Sequence, residues 1–78
     1  MKIPYANLGG DSGITNYEIV GSSIIIEFVH MNYRYVYNTA KPGPEHVLTM
    51  MNLAKQGKGL ATYISQHVGP TYARRIPI

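Results

Sequence analysis

The stretch that decides the fold is Ile24–Tyr37, which reads IIIEFVHMNYRYVY. Its first part, Ile24–Val29, is rich in β-branched residues, and its last part, Tyr33–Tyr37, alternates tyrosine with arginine or valine. Both compositions are typical of β-strands. The residues between them, Val29 to Asn32, form a connection short enough to join antiparallel strands. The stretch therefore predicts a β-hairpin.

The register of this hairpin follows from its side chains. On one face the predicted register pairs Phe28 with Tyr33, Ile26 with Tyr35 and Ile24 with Tyr37. On the other face it pairs Glu27 with Arg34 as an ion pair, and Ile25 with Val36. Cross-strand pairs of these kinds each contribute ~0.2–1 kcal/mol, and a slip by one residue would exchange the two faces. We expect the tyrosine row to lie under the helices, and the alternative is an exposed platform on which bases stack.

The segments on either side of the hairpin complete an α+β chain. Residues 7–13 are turn-forming, Ile14–Val20 alternates as a strand does, and Gly21-Ser22 fits a hairpin turn. Pro44 suits the first position of a helix. The helical stripes are Val47, Met50, Met51 and Ala54 in a first helix, and Leu60, Tyr63, Ile64 and His67 in a second. The predicted fold, over residues 1–78 as one domain, is a three-stranded antiparallel meander followed by two short helices and an extended C-terminal tail (residues 71–78).

The composition limits how this domain can be stabilised. The 78 residues include no cysteine, so neither disulfides nor cysteine-bound zinc can stabilise the core. Hydrophobic residues make up 45% of the chain and charged residues only 14%, so apolar surface is hard to cover and we expect a homo-oligomer. The longest aliphatic run, Ile24–Ile26, is far below a membrane span, and no signal-peptide pattern is visible. We therefore expect a cytoplasmic protein with no membrane partner.

From Ser12 to Ile76 the chain resembles the KTSC domain family, short bacterial and phage proteins that also occur at the C-terminus of some lysyl-tRNA synthetases. The resemblance rests on four segments in order: Tyr33-Arg34-Tyr35, Pro44-Glu45-His46-Val47, Tyr63-Ile64 with His67-Val68, and Tyr72 through Arg75-Ile76. The chain departs from the family's pattern at His30-Met31-Asn32, where a turn glycine is usual, at the loop 39–43, and at Ala61. The tRNA-synthetase association of the family implies RNA binding.

A candidate anion site lies in the basic C-terminal half, since residues 1–40 carry a formal charge of −1 and residues 41–78 carry +4. Free N–H groups at the start of the second helix can hold a phosphate, and the tail can fold back to add charge and an aromatic ring. The predicted ligand-binding residues are Lys55, Gly57, Lys58, Gly59, Tyr63, Tyr72, Arg74 and Arg75. The alternative is a helix that ends at a C-cap glycine with solvated lysines around it.

Catalytic and metal sites are poorly supported. None of His30, His46 and His67 is followed three or four positions later by another metal-ligand residue, so we expect no metal, and we expect His67 to be packed. The acids are scattered along the chain, whereas acid–base catalysis needs paired carboxylates or a histidine beside a nucleophile. We expect no cofactor and no enzymatic activity.

Three functions remain open. The first is a non-catalytic binding module for an anionic partner, either RNA or a nucleotide-like ligand. The second is a structural or assembly protein whose oligomer interface contains Ile25, Val29 and Val36 on the solvent side of the sheet. The third is a phage-type oligomer that sequesters a signalling nucleotide between its subunits.

Overall fold

The structure is a computed structural model, and it describes residues 2–8, 13–29 and 31–78. The middle of the predicted loop at 7–13, residues 9–12, lies outside the described residues, as does His30 of the predicted hairpin connection. The strands are β1 (Ile3–Pro4), β2 (Ile14–Val20), β3 (Ser23–Phe28), β4 (Tyr33–Tyr37) and β5 (Arg74–Pro77). The helices are α1 (Pro44–Gln56), α2 (Leu60–Tyr63) and a π-helix (Ile64–Val68) that continues α2 directly.

Within the described residues the strands form one antiparallel sheet in the order β1-β2-β3-β4-β5. The predicted register of the central hairpin is confirmed at four positions: Ile24 opposite Tyr37, Ile25 opposite Val36, Ile26 opposite Tyr35 and Glu27 opposite Arg34. The predicted turn at Gly21-Ser22 is also confirmed, because β2 ends at Val20 and β3 begins at Ser23.

The α+β class is confirmed, but the predicted number of strands is wrong, since the sheet has five strands and not three. The extra strands, β1 and β5, are short edge strands that both contain proline. Neither segment has an apolar alternation long enough to predict a strand. Backbone hydrogen bonds extend both pairings, from Tyr5 N to Thr15 O (2.9 Å) and from Ala73 N to Val36 O (2.8 Å). Their conformation therefore depends on pairing with a neighbour.

The first helix follows its predicted pattern. It starts at Pro44, and Val47, Met50 and Ala54 are buried on its inner side. It ends at Gly57, which adopts the left-handed conformation (φ 81°) of a helix C-cap.

The second helix departs from its prediction at His67, which is exposed and does not pack in the core. After one α-helical turn the chain widens into the π-helix, where Gly69 N donates to Ile64 O at 2.6 Å. Because a π-helical turn takes more residues than an α-helical turn, Val68 rather than His67 returns to the face of Ile64. Ile64 and Val68 are accordingly buried.

The core lies between one face of the sheet and the helices. Its buried residues are Tyr5, Ile14, Tyr17, Ile24, Ile26, Tyr37, Val47, Met50, Ala54, Leu60, Ile64 and Val68. The tyrosine row of β4 faces this core, as predicted, but only Tyr37 is buried, at 2% exposure, whereas Tyr33 and Tyr35 are half-buried. Part of the aromatic row therefore stays accessible.

On the opposite face of the sheet, the exposure of Val36 and the ion-pair partner of Glu27 differ from the predictions. Val36, predicted to be exposed at an oligomer interface, is only 6% exposed, while Ile25 is half-buried and Val29 is 45% exposed. The three residues thus form no continuous exposed apolar patch. Glu27 pairs with Lys2 (Nζ to Oε2, 3.1 Å) and not with Arg34, because β1 brings the N-terminal segment onto the sheet beside the carboxylate.

Candidate ligand-binding site

The predicted anion site is centred on the junction between α1 and α2, where two backbone groups already bind the N-terminal segment. The carbonyl of Gly57 accepts a hydrogen bond from Leu8 N at 2.7 Å. The N–H of Leu60, at the start of α2, donates to the Tyr5 hydroxyl at 3.3 Å. Lys55 and Lys58 are exposed. The alternative, a C-cap glycine with solvated lysines, describes this junction.

The tail does not fold back to that junction. As β5 it pairs with β4, with Arg74 opposite Val36 and Arg75 opposite Tyr35. The junction instead contacts Tyr5 and Leu8, which follow β1 at the other edge of the sheet. We predicted that the basic tail and the loop between α1 and α2 (residues 57–59, the Lys58 loop) form one site. This prediction is wrong, because strand pairing holds the tail along β4.

Tyr63 belongs to a third location, between α1 and the π-helix. Its hydroxyl lies 2.6 Å from Nδ1 of His46, and its ring centroid lies 4.8 Å from that of His67. Of the predicted ligand-binding residues, the structure leaves Tyr72 and the two arginines near the tyrosine row.

An aromatic cavity of about 270 Å³ lies on the core side of the sheet, beside that row. The described residues that line it are Phe28, Met31, Tyr35, Tyr37, Ile64, Gly69, Pro70 and Tyr72. Its rings hold one another edge to face: the Tyr35 centroid lies 5.6 Å from that of Phe28 and 4.9 Å from that of Tyr72. Edge-to-face packing fixes the rings as rigid walls.

The secondary structure places each wall of this cavity. Alternation along β4 directs Tyr35 and Tyr37 to the core side, and the segment before β5 carries Tyr72 across them. The opposite wall comes from the end of the π-helix, where the chain turns at Gly69 and Pro70. The cavity therefore depends on segments far apart in sequence.

Tyr37 is the most buried of the three tyrosines that line the cavity. Although Tyr37 is 2% exposed, no described group hydrogen-bonds to its hydroxyl, and the oxygen is not among the fully enclosed polar atoms. Burial, reinforced by Tyr35 and Tyr72, raises the pKa of Tyr37 to about 12. The hydroxyl therefore stays protonated at neutral pH and can donate a hydrogen bond.

A positive charge lies on the same face of the sheet as the cavity, on the strand next to Tyr35. The guanidinium carbon of Arg75 stands 4.3 Å from the centroid of the Tyr33 ring, a cation–π contact, and Arg75 is also the cross-strand partner of Tyr35. Arg74, one residue earlier, lies on the opposite face with Val36. None of the described residues that line the cavity is an acid. The arrangement suits a flat ring that carries a negative charge.

Other types of site find less support in the described part of the chain. No three His, Asp or Glu side chains come together there to hold a metal ion. No helix among the described residues is long and apolar enough to cross a membrane.

No protein-family model matches the chain, and neither a curated protein nor a solved structure matches it.

Sequence reasoning found part of this cavity. Tyr72 and Arg75 were candidate ligand residues, whereas Tyr35 and Tyr37 were assigned to the core and Phe28 to its hairpin partner. The excess of tyrosine, seven residues against one phenylalanine, was the available signal. The sequence predicts only the end of a helix at Gly69 and Pro70. Their position beside the tyrosine row depends on tertiary packing.

Proposed function

We propose that this protein is a non-catalytic binding module for a nucleotide-like anionic ligand, with the base in the aromatic cavity and the phosphate beside Arg75. The observation that carries the proposal is the pairing of Arg75 with Tyr35, which puts a cation on the same face of the sheet as the cavity that Tyr35 and Tyr72 line. The ligand is one nucleotide unit, either a free nucleotide or an unpaired nucleotide of single-stranded RNA.

Ring chemistry supports this choice. Every nucleobase has a π-face, and stacking on an aromatic side chain contributes ~1–3 kcal/mol per base. The cavity, at about 270 Å³, lies just below the ~300–1,000 Å³ of pockets for drug-sized ligands, so it suits one base and not two.

The positive charge of Arg75 also supports an anionic, nucleotide-like ligand. Arginine binds phosphate with charge-assisted hydrogen bonds, and the cavity lining adds no carboxylate that would repel an anion. A quaternary ammonium ligand, which aromatic cages also bind, would be repelled by the guanidinium.

The proposal is tested by titrating isotope-labelled protein with uridine monophosphate, adenosine monophosphate and oligouridine while amide and aromatic NMR signals are followed. We expect shifts at Tyr35, Tyr72 and Arg75, and none at Lys58. Shifts absent from the cavity residues, or confined to the Lys58 loop, would overturn the proposal.

Arginine variants supply a matched pair. Arg75→Ala removes the charge beside the cavity and should weaken nucleotide binding about tenfold, the equivalent of a lost hydrogen bond to a charged group. Arg74→Ala removes the same charge from the other face and should leave binding within about twofold, since a single exposed charge acts weakly at a distance. Equal losses in both variants would mean that net charge, not this site, attracts the ligand.

Ligands of different length distinguish free nucleotides from single-stranded RNA as the source of the bound nucleotide unit. If RNA is the natural source, oligouridine binds more tightly than uridine monophosphate, because several phosphates contribute. Equal affinities per molecule assign the site to free nucleotides.

A further inference from the structure

Tyr37 lines the apolar cavity, and its hydroxyl has no protein partner among the described residues. Tyr37 belongs to the buried core, yet its oxygen is not fully enclosed. The hydroxyl is therefore available to a hydrogen-bond partner from outside the protein.

We infer that Tyr37 determines which ring the cavity accepts, by hydrogen bonding to the polar edge of the bound ring. The inference rests on the proposed function and adds a chemical class to it: a heteroaromatic ring with a carbonyl oxygen or ring nitrogen at its edge is preferred to a hydrocarbon ring of similar size.

The geometry supports this role over a purely steric one. Tyr35 and Tyr72 present ring faces and edges to the cavity, which hold any flat ring, polar or not. Only a directed donor distinguishes a carbonyl from a C–H at the ring edge, and a site built to hydrogen-bond its ligand rejects an analogue that lacks the group. Tyr37 is the most buried of the three residues of β4 that share this face.

The same geometry predicts that loss of the Tyr37 hydroxyl weakens ligand binding without lowering the stability of the fold. Removing a hydroxyl that has no partner in the protein costs the fold no hydrogen bond, and burying the remaining phenyl ring is more favourable than burying the phenol. Tyr37→Phe should therefore leave the melting temperature unchanged or raise it while it weakens recognition of a polar ring.

The test compares two ligands that share a phosphate and an aromatic ring but differ at the ring edge, uridine monophosphate and benzyl phosphate. For the wild-type protein we expect the Kd of benzyl phosphate to be about tenfold higher than that of uridine monophosphate. In Tyr37→Phe the ratio should fall to about one, with loss confined to the nucleotide. Tyr17→Phe is the control, because Tyr17 is also buried but is not among the residues that line the cavity, and its ratio should match that of the wild type.

Each outcome decides a separate question. A tenfold ratio that persists in Tyr37→Phe overturns the role of Tyr37 and leaves the proposed function standing. Binding of neither phosphate ligand overturns both. Binding of uracil without any gain from the phosphate overturns the anionic ligand only, and the Tyr37 role is then judged from uracil against toluene in the same variants. A fall in the melting temperature of Tyr37→Phe would assign the hydroxyl to the fold and so overturn the inference.

Discussion

Tyr35 and Arg75 lie directly opposite each other in the pairing of β4 with β5. The pairing puts a cation from the tail next to an aromatic wall that comes from the centre of the chain. Because side chains alternate along a strand, it also sends Arg74 to the other face. Two adjacent residues of the same type thus have different surroundings, and their comparison isolates the effect of position from that of charge.

Salt should affect binding through Arg75. If single-stranded RNA is bound, the logarithm of the binding constant should fall linearly with the logarithm of salt concentration, with a slope near −0.7 for each phosphate contact. Arg75→Ala should make the slope less steep by about 0.7, and Arg74→Ala should leave it unchanged. Fluorescence anisotropy of labelled oligouridine over a range of salt concentrations measures both. A slope insensitive to Arg75 would remove this residue from the phosphate contacts.

Opposite faces of β3 should respond differently to truncation. Ile26 is fully buried under the helices, so Ile26→Ala should destabilise the protein by about 2–5 kcal/mol, as buried aliphatic truncations do. Ile25, its neighbour, is half-buried on the other face, and Ile25→Ala should cost at most about half as much. Urea unfolding followed by circular dichroism gives both values. Similar losses would mean that the second face is covered as fully as the first, as in a face-to-face dimer.

Alkaline pH should destabilise the fold through Tyr37. Its pKa rises from 10.0 to about 12 on folding, so the folded state holds the proton that the unfolded chain releases near pH 10. The stabilisation is therefore fully present below pH 10 and is lost as the pH rises through 12, a loss of about 2 kcal/mol at pH 12.

The pH effect is measured as the free energy of unfolding between neutral pH and pH 11.5, a range that ends just below the raised pKa. Tyr37→Phe has no phenol to titrate, and its stability should decline less over this range. Parallel declines in the two proteins would show that Tyr37 ionises as readily in the folded state as in the unfolded chain.

Gly57 should tolerate substitution less than Gly21. Both have positive φ, 81° and 60°, and an alanine in this region costs about 1–2 kcal/mol. At Gly57 an added Cβ would also lie 2.6 Å from Ala6 Cβ, whereas at Gly21 it would meet nothing within 4 Å. Gly57→Ala should therefore lower the melting temperature further than Gly21→Ala. Equal shifts would mean that the segment at Ala6 moves away without cost.

Local pattern was enough to predict the centre of the sheet. Ile24, Ile26 and the tyrosines of β4 can share a face in only one register, because the side-chain period of a strand is two. The start of α1 at Pro44 and its end at Gly57 followed similarly from the fixed φ of proline and the left-handed conformation open to glycine. These features depend on residues close in sequence.

The ends of the chain were not predictable in the same way. The sequence predicts only an extended tail at residues 74–77, and these residues become a strand because β4 offers an unpaired edge. The π-helix at Ile64–Val68 has no signal in the local pattern, which predicts a regular helix there.

The sequence by itself determined the α+β class, the hairpin register and the excess of tyrosine on one strand face, since each follows from side-chain period and local backbone preference. Tertiary structure alone decided where those tyrosines meet a cation. Pairing of β5 with β4 moved Arg75 away from the Lys58 loop and placed it opposite Tyr35. The turn at Gly69 and Pro70 supplied a further part of the cavity lining, together with Tyr37. The physical reason is that an edge strand has unpaired backbone N–H and C=O groups, which can pair with any extended segment within reach. This pairing uses the backbone, so the side chains of the segment give little indication of it.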